Sequence, residues 1–383
     1  ETIQTMHVEA NRAAWIEIDL NCIDYNIKEI INKVGDASKI MGVIKSDAYG
    51  HGAVKIAKLL SDNGIHSFAV ATLPEAMELR KAGFTSEELV PFCLAPDSLT
   101  ETIVEYDLTP LVCSLENAHL ISQIASEKGK TISGYIAVDT GMGRIGYNPD
   151  SSDALDEILQ MSKLENFKIK GLFSHMSTAD ETDKTYAHWQ ADRFKQFAEK
   201  IESCGIPLPV KTFANSAAII DMPETYYDKV RAGLIIFGYY PSDEVNKSAL
   251  KLKPAMSVKA SIIQLKKVPK GTYIGYNRKF IAERDSLIAT IPVGYADGLP
   301  RAYSSTAKAI VNGTIVPFAG NICMDQSMID VTELSSINEG DEVTIIGSDN
   351  NNQITASDIA KASGTIPNEI LCGFGQRLYK KYV

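Results

Sequence analysis

The chain has 383 residues, 45% hydrophobic and 22% charged, with a net charge of −10. That length suggests two to three domains or one large barrel with an appendage, and the composition excludes disorder, collagen or a disulfide-rich miniature scaffold. No apolar run reaches the roughly 18 residues of a membrane helix. An acidic chain without a basic run is also a poor match for nucleic acid or anionic membranes.

Taken in chain order, WIEIDL (15–20) is a strand that suits either of two domains. From residue 39 onward eight short apolar runs follow: KIMGVIK (39–45), SFAVAT (67–72), LVPFC (89–93), TPLVCS (109–114), SGYIAVD (133–139), IKGLFSH (169–175), VKTFAN (210–215) and VRAGLIIFG (230–238). Continuous rather than alternating apolar strands fit a parallel sheet buried on both faces. Helical signals fill the gaps: Val54, Ala57 and Leu60 before Gly64; Pro74 to Gly83 around Met77 and Leu79; Phe194, Phe197 and Ile201 before Gly205. This alternation predicts an α/β fold with a (β/α)8 TIM-like barrel, a doubly wound open sheet being the alternative. After residue 250, short strands with turns such as Asn312-Gly313 and Glu339-Gly340 predict a C-terminal mostly-β domain, with one helix in 353–364. The boundaries fall at 14–247 for the barrel and 248–383, with 1–13, for the β domain.

The six cysteines, Cys22, Cys93, Cys113, Cys204, Cys323 and Cys372, stand far apart without a C-x-x-C, and the histidines form no H-x-x-x-H pair. Reduced thiols and no metal site are expected.

Lys45, in VIKSDAYGHG (43–52), ends the first barrel strand and so faces the mouth where barrel active sites form; a surface lysine beginning a loop is the plainer reading. FANSAA (213–218) has Asn215 and Ser216 opening a short helix after strand seven, and VRAG (230–233) carries Arg231 and Gly233 on strand eight. Barrels commonly bind phosphate at these two loops, where the Ser216 hydroxyl and Gly233 amide suit the task unless Ser216 is a plain N-cap. A lysine and a phosphate cradle in one mouth suggest pyridoxal phosphate. In VDTGMGRIG (138–146) the glycines permit close backbone approach, and Arg144 could clamp a carboxylate or a phenolate oxygen. His175 ends strand six, where it stacks on a planar ring or sits satisfied in the core. Tyr295, between glycines in IPVGYADGLPR (291–301), and GNICMDQSMID (320–330) belong to the β domain.

Seven ordered motifs, VIKSDAYGHG, DTGMGRIG, SHMSTADE, ANSAA, VRAGL, GYADGLPR and ICMDQSMID, resemble bacterial alanine racemase over residues 14–379. The chain resembles in particular the racemase domain of the membrane-bound serine/alanine racemases of vancomycin resistance. Its start, Glu-Thr-Ile-Gln without Met or signal peptide, suits a cytoplasmic catalytic domain tethered through an N-terminal part.

The resemblance implies a fold type III pyridoxal-phosphate enzyme acting on a small amino acid as a homodimer with shared active sites. It implies that Lys45 carries the cofactor and that Tyr49, Ser216 and the Gly233–Leu234 backbone contact its phosphate. His175 would pack against the ring and Arg231 face the pyridine nitrogen. Arg144 and the Met324 amide would meet the substrate carboxylate, and Tyr295 would enter from the other subunit. Racemisation removes a proton from one face and returns it to the other, so Lys45 would serve the D face and Tyr295 the L face. Tyrosine's ordinary pKa is about 10, so a tyrosine base needs surroundings that favour phenolate. The expected activity is interconversion of L- and D-serine and of L- and D-alanine, supplying cell-wall precursors in vancomycin resistance. A strict alanine racemase, a non-catalytic pyridoxal-phosphate carrier and a decarboxylase of the same fold are the alternatives. The chain departs from the family pattern at Ala137 (usually lysine), Thr212 (often histidine), Asn321 (arginine) and Asn368 (tyrosine). Asn368 leaves room for a hydroxymethyl group and offers both a donor and an acceptor, which is the reason to expect serine.

Overall fold

The computed structural model describes residues 12–375 and 377–383, so the part of the β-domain assignment that falls on residues 1–11 lies outside the described residues. The described chain forms two compact units. The first strand, β1 (Ala14–Ile18), is followed by eight short strands: β2 (Ile40–Val43), β3 (Ser67–Val70), β4 (Glu88–Pro91), β5 (Leu111–Val112), β6 (Ile132–Ala137), β7 (Phe167–Phe173), β8 (Val210–Thr212) and β9 (Val230–Ala232). These eight, one in each apolar run, carry the larger unit, Asp24–Ala48 and Ala53–Lys253.

All pairs within it are parallel, in the orders β4-β3-β2-β9 and β5-β6-β7-β8. A parallel bridge between Thr212 and Lys229 joins β8 to the start of β9, and the Thr109 amide donates to Leu89 O of β4 at 2.9 Å beside β5. Each strand therefore lies beside its sequence neighbour and the last beside the first. This is the order of a (β/α)8 barrel and not the switched order of a doubly wound sheet. Helices cover the strands where the periodicity places them. Leu73–Lys81 begins with a capping box, the Thr72 side chain on the Glu75 amide and the Glu75 side chain on Thr72, with Pro74 in its first turn.

The smaller unit holds β1, Tyr49–Gly52 and the chain from Pro254. Its remaining strands are β10 (Met256–Ser261), β11 (Gln264–Val268), β12 (Tyr273–Ile274), β13 (Phe280–Ile281), β14 (Ser286–Ile291), β15 (Lys308–Val311), β16 (Thr314–Pro317), β17 (Ser327–Asp330), β18 (Glu342–Asp349), β19 (Asn352–Ile354) and β20 (Tyr379–Tyr382). The main sheet runs β16-β15-β18-β10-β1-β20, with β19 beside β18. This corrects the boundary at residue 14. β1 pairs antiparallel with β10 and parallel with β20, and its alternating burial (Ala14, Ile16 and Ile18 inside) is that of a strand with one wet face. The helix expected in 353–364 is Ala356–Ser363, capped by Thr355 and ended by Gly364 in the left-handed region.

Candidate functional site

In the larger unit β2 ends at Val43, two residues before Lys45. Lys45 itself is half-buried and opens a turn in which Ser46, Asp47, Ala48 and Tyr49 all have φ between 52° and 55°. Four consecutive non-glycine residues in the left-handed region cost roughly 1–2 kcal/mol each, a cost typical of functional loops. The turn is pinned at both ends: the Ser46 amide donates to Glu75 Oε1 at 2.6 Å, and the Ala53 amide to Asp47 Oδ1 at 2.7 Å.

Arg231, on β9, is 2% exposed. Its Nη1 donates to Thr212 Oγ1 at 3.0 Å, so the threonine standing where the family pattern often has histidine accepts from this guanidinium. Its Nη2 donates to Ser174 O at 2.6 Å and Phe213 O at 3.1 Å, and lies 3.0 Å from His175 Nδ1. The guanidinium sits over the Phe173 ring, 4.4 Å from its centroid. Arg231 Nε is buried and has no hydrogen-bond partner among the described residues. Burial, with the charge of Arg144 adding, pushes the Arg231 pKa down to about 9, so the group stays charged at neutral pH.

His175 is held well below the ordinary imidazole pKa by burial and by the charges of Arg231, Arg144 and Lys45. The structure thus brings Lys45, Arg144, His175 and Arg231 into one electrostatic cluster. Arg144 is exposed on the turn after β6, where the Asp139 carboxylate accepts from the Gly141 and Gly143 amides at 2.9 and 3.0 Å. Ala137 is fully buried.

Asn215, not Ser216, caps the helix Ser216–Asp221, its side chain accepting from the Ala218 amide at 3.1 Å. That overturns the plain-cap alternative for Ser216. The Ser216 hydroxyl instead accepts the Gly233 amide at 3.0 Å, which leaves its own proton for another acceptor. Leu234 opens the 3-10 turn Leu234–Phe237 directly behind Gly233. A lysine, two arginines, a neutral imidazole and a serine cradle suit a planar, phosphorylated heteroaromatic. Arg231 Nε supports that fit most directly, because it can only donate and needs an acceptor such as a ring nitrogen.

The smaller unit carries the other expected residues. Tyr49 is buried, and burial followed by the neighbouring Cys372 pushes its pKa upward, so its hydroxyl stays protonated. Tyr295 begins the 3-10 turn Tyr295–Asp297. Its amide donates to Cys323 O at 2.9 Å and that of Ala296 to Met324 O at 2.9 Å, so Tyr295 and Met324 stand side by side, 41% and 53% exposed. Asp297, buried beneath the turn, is gripped by Arg12, whose Nη2 donates to its Oδ2 at 2.8 Å. Asn368 occupies the second position of the helix Pro367–Gly373, and its side chain makes no hydrogen bond among the described residues, so it is not a turn cap.

Sequence reasoning missed Gln190, a fully buried amide on the helix Thr185–Ser203. Its Oε1 accepts from the amide and hydroxyl of Ser177 at 3.0 and 3.1 Å, and its Nε2 donates to His175 O at 3.1 Å and Thr140 Oγ1 at 3.3 Å. The only available signal was a polar residue on the apolar stripe of an amphipathic helix.

The family description "Alanine racemase, N-terminal domain" matches residues 18–241, and "Alanine racemase, C-terminal domain" matches residues 255–382. An alanine racemase of Clostridium kluyveri is 47% identical over 372 residues, covering 97% of this chain and 94% of that protein. The solved structure of the Clostridium difficile 630 alanine racemase superposes with a TM-score of 0.93 at 38% identity, over 98% of this chain and 97% of that one. A histidine racemase from Leuconostoc mesenteroides superposes with a TM-score of 0.89 at 28% identity, over 98% and 99%.

Proposed function

The chain belongs to the alanine racemase family, and from that premise we propose that it racemises serine as well as alanine. Enzymes of this family use pyridoxal 5'-phosphate, which acidifies the Cα–H of an amino acid bound to it. The observation that carries the reading is the buried Arg231, its Nε without a partner among the described residues, set against a His175 that also lies within electrostatic reach of Lys45 and Arg144. Arg231 would face the ring nitrogen. A guanidinium still charged at neutral pH does not yield its proton to a pyridine, which restrains side reactions that need a protonated ring and disfavours the decarboxylase reading.

Lys45 would hold the cofactor and move the proton on the D face. Ser216, the Gly233–Leu234 backbone and protonated Tyr49 would hold its phosphate, and His175 its ring. Arg144 and the Met324 amide would hold the substrate carboxylate. Tyr295 would move the proton on the L face from a second copy of the chain, in a head-to-tail homodimer. The joint exposure of Tyr295 and Met324 on one surface supports this.

Serine is supported by Asn368, whose amide is not committed to a hydrogen bond among the described residues. A serine hydroxyl left unpaired costs about 1–3 kcal/mol, so a pocket that satisfies it changes selectivity severalfold or more. D-serine and D-alanine would then feed cell-wall precursors, as in vancomycin resistance. A strict alanine racemase is the second reading, favoured by the names of the relatives. Chiral analysis of products from L-alanine and L-serine, with borohydride trapping and peptide mapping, tests the reading. D-alanine, D-serine and a trapped Lys45 peptide are expected. D-alanine alone selects the second reading, and no D product defeats both.

A further inference from the structure

Arg144 is the least supported member of the cluster: its guanidinium makes no hydrogen bond or ion pair among the described residues, and its loop carries Gly141 and Gly143 with φ of 143° and 74°. A cation on such a loop selects a carboxylate well only if the loop itself is held. The helix Thr185–Ser203 holds it. Tyr186, Trp189 and Gln190 share one face of that helix at i, i+3 and i+4 spacing. Tyr186 Oη donates to Gly141 O at 2.7 Å, and Gln190 Nε2 donates to Thr140 Oγ1 at 3.3 Å. A Cβ at Gly141 would lie 2.7 Å from both Trp189 Cζ3 and Tyr186 Oη, so the loop is seated closely on this face.

Gln190 also fixes the loop relative to His175. The Ser177 amide can only donate and His175 O can only accept, so the orientation of the Gln190 amide is unambiguous and all four of its hydrogen bonds are made. One buried side chain thus spans the turn after β6 and the segment after β7. We propose that Tyr186 and Gln190 are positioning residues that brace the Arg144 loop for carboxylate binding. This rests on the reading of Arg144 as the carboxylate-binding residue.

The test uses the holoenzyme and two readouts, kcat and KM for alanine, and calorimetric binding of propionate, which has the carboxylate but no amine to react. Tyr186→Phe keeps the ring and removes one hydrogen bond, so KM and the propionate Kd should rise about 2- to 10-fold with a smaller change in kcat. Gln190→Glu should show the same pattern; if it does not fold, Tyr186→Phe decides alone. In an Arg144→Ala background Tyr186→Phe should add nothing. An unchanged propionate Kd in Tyr186→Phe, or an equal loss with and without Arg144, overturns the brace. An unchanged Kd in Arg144→Ala itself removes the carboxylate reading, and the brace with it.

Discussion

Arg231 Nη2 lies 3.0 Å from His175 Nδ1 and can only donate, so the imidazole accepts there and, being neutral, carries its proton on Nε2. His175 in the folded chain therefore resists protonation that the unfolded chain accepts near pH 6.5. Its contribution to stability is complete above that pH and is lost as pH falls toward the depressed folded value. Urea unfolding at pH 7 and pH 5 should show the parent losing more stability than His175→Asn, by at most about 1.4 kcal/mol per pH unit. Parallel losses in the two proteins would mean that His175 is not held neutral.

Glu88 behaves in the opposite chemical sense. Burial opposes its charge, but Lys229, Lys170 and the Ser67 hydroxyl outweigh that and hold the carboxyl down to about 2. Lys170 Nζ is 2.7 Å and Lys229 Nζ 3.1 Å from the carboxylate, which also accepts from the buried Tyr135 hydroxyl at 3.0 Å. Glu88→Gln should cost about 3 kcal/mol at neutral pH. The parent's advantage should shrink as pH falls from about 4.5 to 2, as equilibrium unfolding of both proteins would show. A pH-independent difference would contradict the ion cluster as its source.

Gly294 sits where Tyr295 and Met324 meet. A Cβ there would come within 2.2 Å of Cys323 O and 2.4 Å of Met324 O, separating the two segments. Gly294→Ala should retain cofactor absorbance but lose racemisation by about 10²-fold or more, approaching the loss expected for a missing general base. Near-parental turnover would show that the Tyr295–Met324 pairing does not matter to the chemistry.

Asn368→Tyr should depress kcat/KM for serine much more than for alanine, by roughly 5- to 150-fold in the ratio. Steady-state kinetics on both substrates measures this. Equal losses would remove Asn368 from the account of specificity.

The parallel strands were legible because β2, β3, β5 and β9 are buried throughout and the others over most of their length or at one end, which leaves short apolar runs. Lys45 and His175 were legible because a charged or polar residue at the end of such a run has few structural uses, Arg231 because it interrupts one, and Arg144 because it stands among the glycines that follow one. β1 was legible as a strand but its sheet was not, although AWIEI alternates in the manner of a one-sided strand, because five residues do not reveal their partner. Its partner β20, YKKY, carries two lysines and gives no apolar signal. The left-handed turn at Ser46–Tyr49 was hidden for a different reason: none of its residues is a glycine or asparagine, and tertiary contacts impose the conformation. Gln190 left only the trace of a polar residue on an apolar stripe, since its role depends on three loop residues that meet it only in the folded chain.

The claim that two bases from two copies of the chain share each site is tested most directly by mixing Lys45→Ala with Tyr295→Phe. Each variant alone should be nearly inactive. After subunit exchange half of the dimers are hybrids, each with one mouth holding both intact residues, so activity should recover to about one quarter of the parent's. Exchange verified by mass spectrometry with no recovery of racemisation would contradict the shared two-base site.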